Sequence, residues 1–302
     1  MKILLTGATG FIGRALTQNL AAAGHEAVLL TRDPDRAKQA LPQAAACYPW
    51  RSEEVPPEEA LHGAGAVVHL AGESVVGGRW TAARRTRIYD SRIIGIRRLL
   101  EGLRDTGVSP QVIVSSSAVG YYGDRGEELL NESSAQGTGF LAEVCADWEA
   151  ALFGSDLTGT RCVALRTGMV LGTGGGALAR LLPLFRVGLG GPVGSGRQWI
   201  SWIHLADMVA LILYALENPA MTGVVNAVAP NPVTNREFAR TLGRVLRRPA
   251  LLPAPAFALK LALGEMATIV LDSQRVEPRA AAEAGFRFRF DHLREAMEEI
   301  CR

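Results

Sequence analysis

Apolar positions in this chain arrive in short runs with amphipathic stretches between them. Ile3-Leu4-Leu5, Val28-Leu29-Leu30, Ala66-Val67-Val68-His69-Leu70, Gln111-Val112-Ile113-Val114-Ser115 and Arg161-Cys162-Val163-Ala164-Leu165-Arg166 have the length and branching of buried strands. Between them Phe11, Leu16 and Leu20 form a helical stripe closed by Gly24. Ile88, Ile93, Ile96, Leu99, Leu100 and Leu103 recur through a long predicted helix, 82–105, and another is predicted over 138–153. Strands that alternate with helices predict an α/β fold, a Rossmann-type doubly wound parallel sheet whose ligands bind beyond the carboxyl ends of the strands. The turns at Gly7, Gly72, Ser116 and Gly168 are then expected on one cleft.

The texture changes near residue 167, with Gly172 to Gly176 and Gly188 to Gly196 rich in glycine. A short strand is expected at 223–226 and helices at 235–247, 256–263, 278–284 and 290–300, with Pro249, Pro253 and Pro255 breaking the chain between the first two. The division expected is a nucleotide-binding domain over 1–166 and, over 167–302, a smaller C-terminal substrate lobe interleaved with the sheet domain.

The first turn carries the chemistry. Gly7-Ala8-Thr9-Gly10-Phe11-Ile12-Gly13 joins a predicted strand to a predicted helix. Free N–H groups and the positive dipole end of such a helix suit a pyrophosphate. At the end of the second strand, about twenty residues on, an acidic residue would hold a ribose 2′-hydroxyl. Here stand Thr31 and Arg32, then Arg36 and Lys38. A hydroxyl and guanidinium groups suit a 2′-phosphate, which favours NADP over NAD, although Asp33 could still turn inward.

Composition narrows the classes. A net charge of +2 gives no footprint for nucleic acid, and no run of about 18 apolar residues or charged-then-apolar leader is present, so a cytoplasmic protein without a membrane partner is expected. Cys47, Cys145, Cys162 and Cys301 show neither a disulfide framework nor a metal-ligand spacing. Only three of the 32 basic residues are lysine: Lys2, Lys38 and Lys260.

Together the N-terminal glycine turn, Leu70-Ala71-Gly72, Ser115-Ser116-Ser117 and Gly196-Arg197-Gln198 leading to Ile203-His204-Leu205-Ala206-Asp207 resemble the extended short-chain dehydrogenase/reductases. Leu70 to Ser74, Trp80 with Ser91-Arg92, Gly120-Tyr121-Tyr122-Gly123, Arg166 to Gly172 and Trp202-Ile203-His204 look like the epimerase-family subgroup that carries an extra C-terminal segment. The resemblance implies a nicotinamide cofactor and a small-molecule substrate, a nucleotide sugar or small carbonyl compound, and allows a homodimer. It also implies a catalytic Ser, Tyr and Lys, of which Ser117 matches the serine. Leu141 and Cys145 fall where the Tyr and Lys belong, so the dyad is missing.

Tyr121 and Tyr122 are the phenols expected at the cleft, serving as proton groups if Arg92 supplies positive charge, or otherwise packing beside ligand while Arg92 holds cofactor phosphates. Cofactor contacts are expected from Gly7, Thr9, Gly10, Phe11, Ile12, Gly13, Thr31, Arg32, Arg36, Leu70, Ala71, Gly72, Glu73, Arg92, Ser115, Arg166 and Gly168, with Arg197 a further candidate for ligand contact. His204 is expected as a satisfied half-buried histidine and Asp207 as a cap or orienting group. Two functions remain open: an NADP-dependent oxidoreductase or epimerase, and a non-catalytic NADP(H)-binding sensor or partner-binding module.

Overall fold

The computed structural model describes residues 1–302. The first half alternates strand and helix: β1 (Lys2–Thr6), α1 (Phe11–Ala22), β2 (Glu26–Thr31), α2 (Pro34–Ala40), β3 (Ala46–Pro49), α3 (Glu58–Leu61), β4 (Ala66–His69), α4 (Ala82–Asp105), β5 (Val112–Ala118), the short β6 (Leu129–Leu130), α5 (Phe140–Phe153) and β7 (Arg161–Thr167). The second half continues with β8 (Met169–Leu171), α6 (Gly176–Arg186), β9 (Trp199–Ile200), β10 (Trp202–His204), α7 (Leu205–Glu217), β11 (Gly223–Ala227), β12 (Val233–Thr234), α8 (Asn235–Leu246), α9 (Ala256–Leu263), α10 (Thr268–Leu271), β13 (Arg275–Val276), α11 (Arg279–Glu283) and α12 (Leu293–Ile300).

Seven strands form one parallel sheet in the order β3-β2-β1-β4-β5-β7-β11. This doubly wound order turns back between β1 and β4, where the crevice for a dinucleotide opens. Side chains alternate across each strand, so the two faces bury different sets. Ile3, Leu5, Leu29, Val68 and Val114 pack under Leu16, Leu20, Leu211 and Ile212 of α1 and α7. On the other face Leu4, Val28, Val67 and Ile113 meet Ile96, Leu99 and Leu103 of α4 with Val144 and Trp148 of α5. A third core joins Leu171, Phe185, Trp202, Phe238 and Leu242 to Leu293 and Met297.

The structure adds elements that the periodicity did not mark. β3 is a four-residue edge strand, too short to show alternation. α6 lies inside the glycine-rich stretch with Pro183 in its third turn, both features that argue against a helix on sequence alone. The predicted 290–300 helix starts only at Leu293, because the Arg289 and Phe290 N–H groups donate to the Asp207 carboxylate, each at 2.9 Å.

Candidate functional site

Sterics explain the glycines of the first turn. Gly7 sits at φ +71°, and a Cβ there would lie 2.7 Å from the Leu70 carbonyl carbon; one at Gly13 would lie 2.3 Å from the Gly7 oxygen. Both distances are below any real contact, so β1, the start of α1 and the end of β4 can close up only with glycine. Gly10 caps α1 without a side-chain bond, and the first turn holds no acidic residue. Its N–H groups therefore stay available to an anion. Gly172, Gly175 and Gly176 stack against the Phe11 ring, the nearest ring atoms 2.5 to 3.1 Å from where their Cβ atoms would sit. That packing ties the start of α1 to the lobe.

Beyond the end of β2 lies a cavity of about 240 Å³, lined by Thr9, Arg14, Thr31, Arg32, Asp33 and Arg36. Asp33 lines the cavity too, but its Oδ1 accepts from the Arg36 N–H at 3.0 Å and caps α2. Three arginines and the hydroxyls of Thr9 and Thr31 converge on the cavity, with Asp33 among them. Arg14 was not foreseen; its signal was a place on α1 four residues after Gly10, and its Nε donates to the Thr9 carbonyl at 2.8 Å. Lys38 donates to the Ala44 carbonyl and does not line this cavity.

The segment after β4 is held by its backbone. The Ala71 N–H donates to Thr6 Oγ1 at 3.1 Å and the Glu73 N–H to Ser91 Oγ at 2.9 Å. Arg92 donates to the carbonyls of Glu73 and Ile88, both at 3.0 Å, and lies so close beneath Gly72 that a Cβ there would come within 3.2 Å of its guanidinium carbon. Burial lowers the Arg92 pKa, against the raising influence of Cys145 and Glu73.

At the ends of β5 and β7 a buried polar network replaces the missing dyad. Arg166 grips Glu149 bidentately (Nε to Oε1 2.9 Å, Nη2 to Oε2 2.7 Å), and Ser117 donates to the same carboxylate at 2.6 Å. Burial works against the charge on Arg166, but its bonds to Glu149 prevail and raise its pKa. Arg166 also donates to the Tyr122 hydroxyl at 3.0 Å; that hydroxyl reaches Asn226 Oδ1 at 2.7 Å and the Asn131 carbonyl at 3.0 Å, either of which can take its one proton. Tyr122 is fully buried, and burial raises its pKa. Two expectations are corrected here. Tyr122 is a locked core phenol and no proton carrier, and Arg166 is a buried side chain whose charge is already paired with the Glu149 carboxylate, which argues against a cofactor phosphate as its partner. Ser117 sits on the same carboxylate, so it positions Glu149 and Arg166.

Tyr121 is different. The Arg166 guanidinium carbon lies 3.3 Å from its ring centroid, and its hydroxyl has no hydrogen-bond partner within the chain. Leu141 and Cys145 do face this corner, since a Cβ at Gly120 would come within 3.3 Å of Leu141 and 3.9 Å of the Cys145 sulfur. Burial pushes the Cys145 thiol up to about 11, so it is neutral and no substitute for a lysine. Ser115 donates to the Ser116 carbonyl, and Gly168 is required by the Ser201 oxygen, 2.5 Å from where its Cβ would be. His204 accepts from the Ala206 N–H at 3.1 Å and caps α7, while its Nε2 pairs with Glu299. Asp207 joins the lobe's C-terminal segment to this helix.

A glycine-cradled helix start at the turning point of a doubly wound sheet, with arginines beyond the second strand, defines a dinucleotide-binding protein. The comparisons narrow that class. Residues 3–227 match the model of the NAD dependent epimerase/dehydratase family, and the chain belongs to that family. Residues 254–300 match a domain of unknown function, DUF1731. The chain is 43% identical over 304 residues to the chloroplastic SDR39U1 homologue of Arabidopsis thaliana, an epimerase family protein, covering 99% of this chain and 86% of that one. It is 36% identical to the Bacillus subtilis epimerase family protein YfhF, covering 99% and 98%. Among solved structures, human epimerase family protein SDR39U1 with NADPH matches at a TM-score of 0.89 and 35% identity, over 99% of both chains. No helix of this chain is long and apolar enough to cross a membrane.

Proposed function

We propose that this protein binds NADP(H) and exchanges hydride with a small carbonyl or hydroxyl compound, as an oxidoreductase or epimerase that works without a Tyr-Lys dyad. The observation that carries the reading is the cavity lined by Arg14, Arg32 and Arg36 with Thr31, whose charge and donor geometry suit a 2′-phosphate, while the carboxylate at its rim, Asp33, is engaged through Oδ1 as the cap of α2. The NADPH in the human relative's structure supports the same choice. The open N–H groups of α1 suit the pyrophosphate. Bound there, a nicotinamide supplies or accepts the hydride. The protein's share is to orient the substrate and to move one proton, and Tyr121 is the group for it, with a hydroxyl that no group of the protein occupies and a ring held against the Arg166 guanidinium.

Calorimetry on cofactor-free protein tests the reading. NADPH should bind at submillimolar concentration or better and NADH about tenfold or more weakly, and Arg32→Ala with Arg36→Ala should erase that difference; one bidentate phosphate contact carries about this much. Equal affinity for both nucleotides would refute it. Tyr121→Phe should keep NADPH affinity and abolish turnover in a screen of sugars, ketones and aldehydes. A second reading, a non-catalytic NADP(H) sensor, is favoured by the engagement of Ser117, Tyr122 and Arg166 with one another and with Glu149. It prevails if NADPH binds and no carbonyl compound oxidises it.

A further inference from the structure

Two long stretches of this chain carry no carboxylate. There is no Asp or Glu between residues 157 and 206, and none between 238 and 264. The fold laces parts of these stretches together: Arg248 Nε donates to the Arg186 carbonyl at 2.9 Å, the Ala254 N–H to the Pro192 carbonyl at 2.9 Å and the Gly194 N–H to the Ala254 carbonyl at 2.8 Å. The surface so formed runs from the end of α6 to α9. It exposes Leu184, Val187, Leu189, Leu251, Phe257 and Leu261, between 51% and 79% accessible. No residue of α9 is fully buried; Leu263 packs against the core, while Phe257 and Leu261 stand one turn apart on a single exposed face. Around them Arg180, Arg186, Arg244, Arg247 and Lys260 are exposed, and none takes part in an ion pair.

We propose that this face docks on an anionic lipid bilayer, with α9 lying in the headgroup plane. Leucine and phenylalanine side chains that stand out among unpaired cations match both layers of such a surface, the apolar boundary and the phosphates above it. A second copy of the chain fits the face poorly. A two-fold contact sets the same patch against itself and would press the arginines of one copy on those of the other, Asp272 lying close enough to act on Lys260. The eight residues of α9 are far too short to span, so docking is compatible with the lack of a membrane-crossing helix. The expectation of no membrane partner rested on the lack of a long apolar run and of a charged-then-apolar leader, which says nothing of a surface contact.

Sedimentation with vesicles tests this on the whole chain. Vesicles of equal phosphatidylglycerol and phosphatidylcholine should pellet the protein at about 0.1 M salt and release it at about 1 M, where charges are screened beyond a few ångström. Phosphatidylcholine alone should hold at least tenfold less. Two variants should each lower binding at least tenfold: Leu184→Ser/Leu189→Ser/Phe257→Ser/Leu261→Ser, and Arg180→Gln/Arg186→Gln/Arg244→Gln/Lys260→Gln. All eight positions are exposed, and an unchanged thermal transition will show that the variants fold. Absence of binding to the mixed vesicles, or equal binding to neutral ones, would overturn the proposal. So would a concentration-dependent dimer, lost in the serine variant, in a protein that ignores lipid.

Discussion

Glu149 shows how little a single side chain reveals until its neighbours are known. It lies in the middle of an apolar helix, and nothing nearby in sequence explains a carboxylate there; Ser117, 32 residues before it, and Arg166, 17 after, complete the site. Serine and arginine at the ends of strands were legible as cleft residues, but their commitment to one another was not, because hydrogen-bond partners are chosen by tertiary approach. Removing one member of a buried pair strands the other's charge in a poor dielectric. Glu149→Gln should therefore lower the free energy of unfolding in urea by about 3–5 kcal/mol. A loss under about 1 kcal/mol, the size found for exposed pairs, would mean that the site is wetter than the structure shows.

At the scale of elements, legibility followed regularity. α4 was bounded correctly at 82–105 because its apolar stripe is unbroken and Thr81 caps it, the Arg84 N–H donating to Thr81 Oγ1. α6 was missed, since glycine and proline obscure a helix whose stability comes from packing Leu178 and Phe185 into the lobe. The junction of β1 with α1 was the most legible of all, because its glycines answer a steric need local to the turn. Gly13→Ala tests that need. A methyl group 2.3 Å from the Gly7 oxygen must push the turn open, costing about 1–3 kcal/mol of stability and, through the displaced N–H groups, most of the affinity for NADPH. Thermal unfolding and calorimetry on the same sample will read both; a variant that binds normally would show that the turn is slack.

The molecule as a whole is held by groups that join its two halves. β11 completes the main sheet from the second half of the chain, and Asp207 fastens the segment before α12 to α7. His69, at the end of β4 between Trp50 and Trp148, is fully buried with Nδ1 on Thr6 Oγ1 and Nε2 unpartnered. Burial, with Arg92 adding to it, brings its pKa down from 6.5 to about 3. Because the folded value is depressed, the unfolded chain takes up a proton that the folded one refuses. The resulting stability is full above pH 6.5 and is lost as pH falls toward 3. Urea titrations between pH 7 and 4.5 should show the wild type losing up to about 1.4 kcal/mol per pH unit more than His69→Gln. Parallel slopes for the two proteins would contradict the burial argument.

The chain's own order of residues determined the strand-helix alternation, the glycine cradle and the arginines beyond β2, because each is a local requirement of backbone geometry or charge carried by residues close together in sequence. The absence of the dyad was equally legible, since a lysine that does not exist cannot be supplied by folding. Tertiary structure decided everything that depends on distant partners. It committed Asp33 to capping α2, sealed Tyr122 and Arg166 in a network with Glu149, left the Tyr121 hydroxyl free, and brought two carboxylate-free stretches onto one face. Those outcomes follow from which surfaces pack together, and packing is a property of the assembled sheet and lobe.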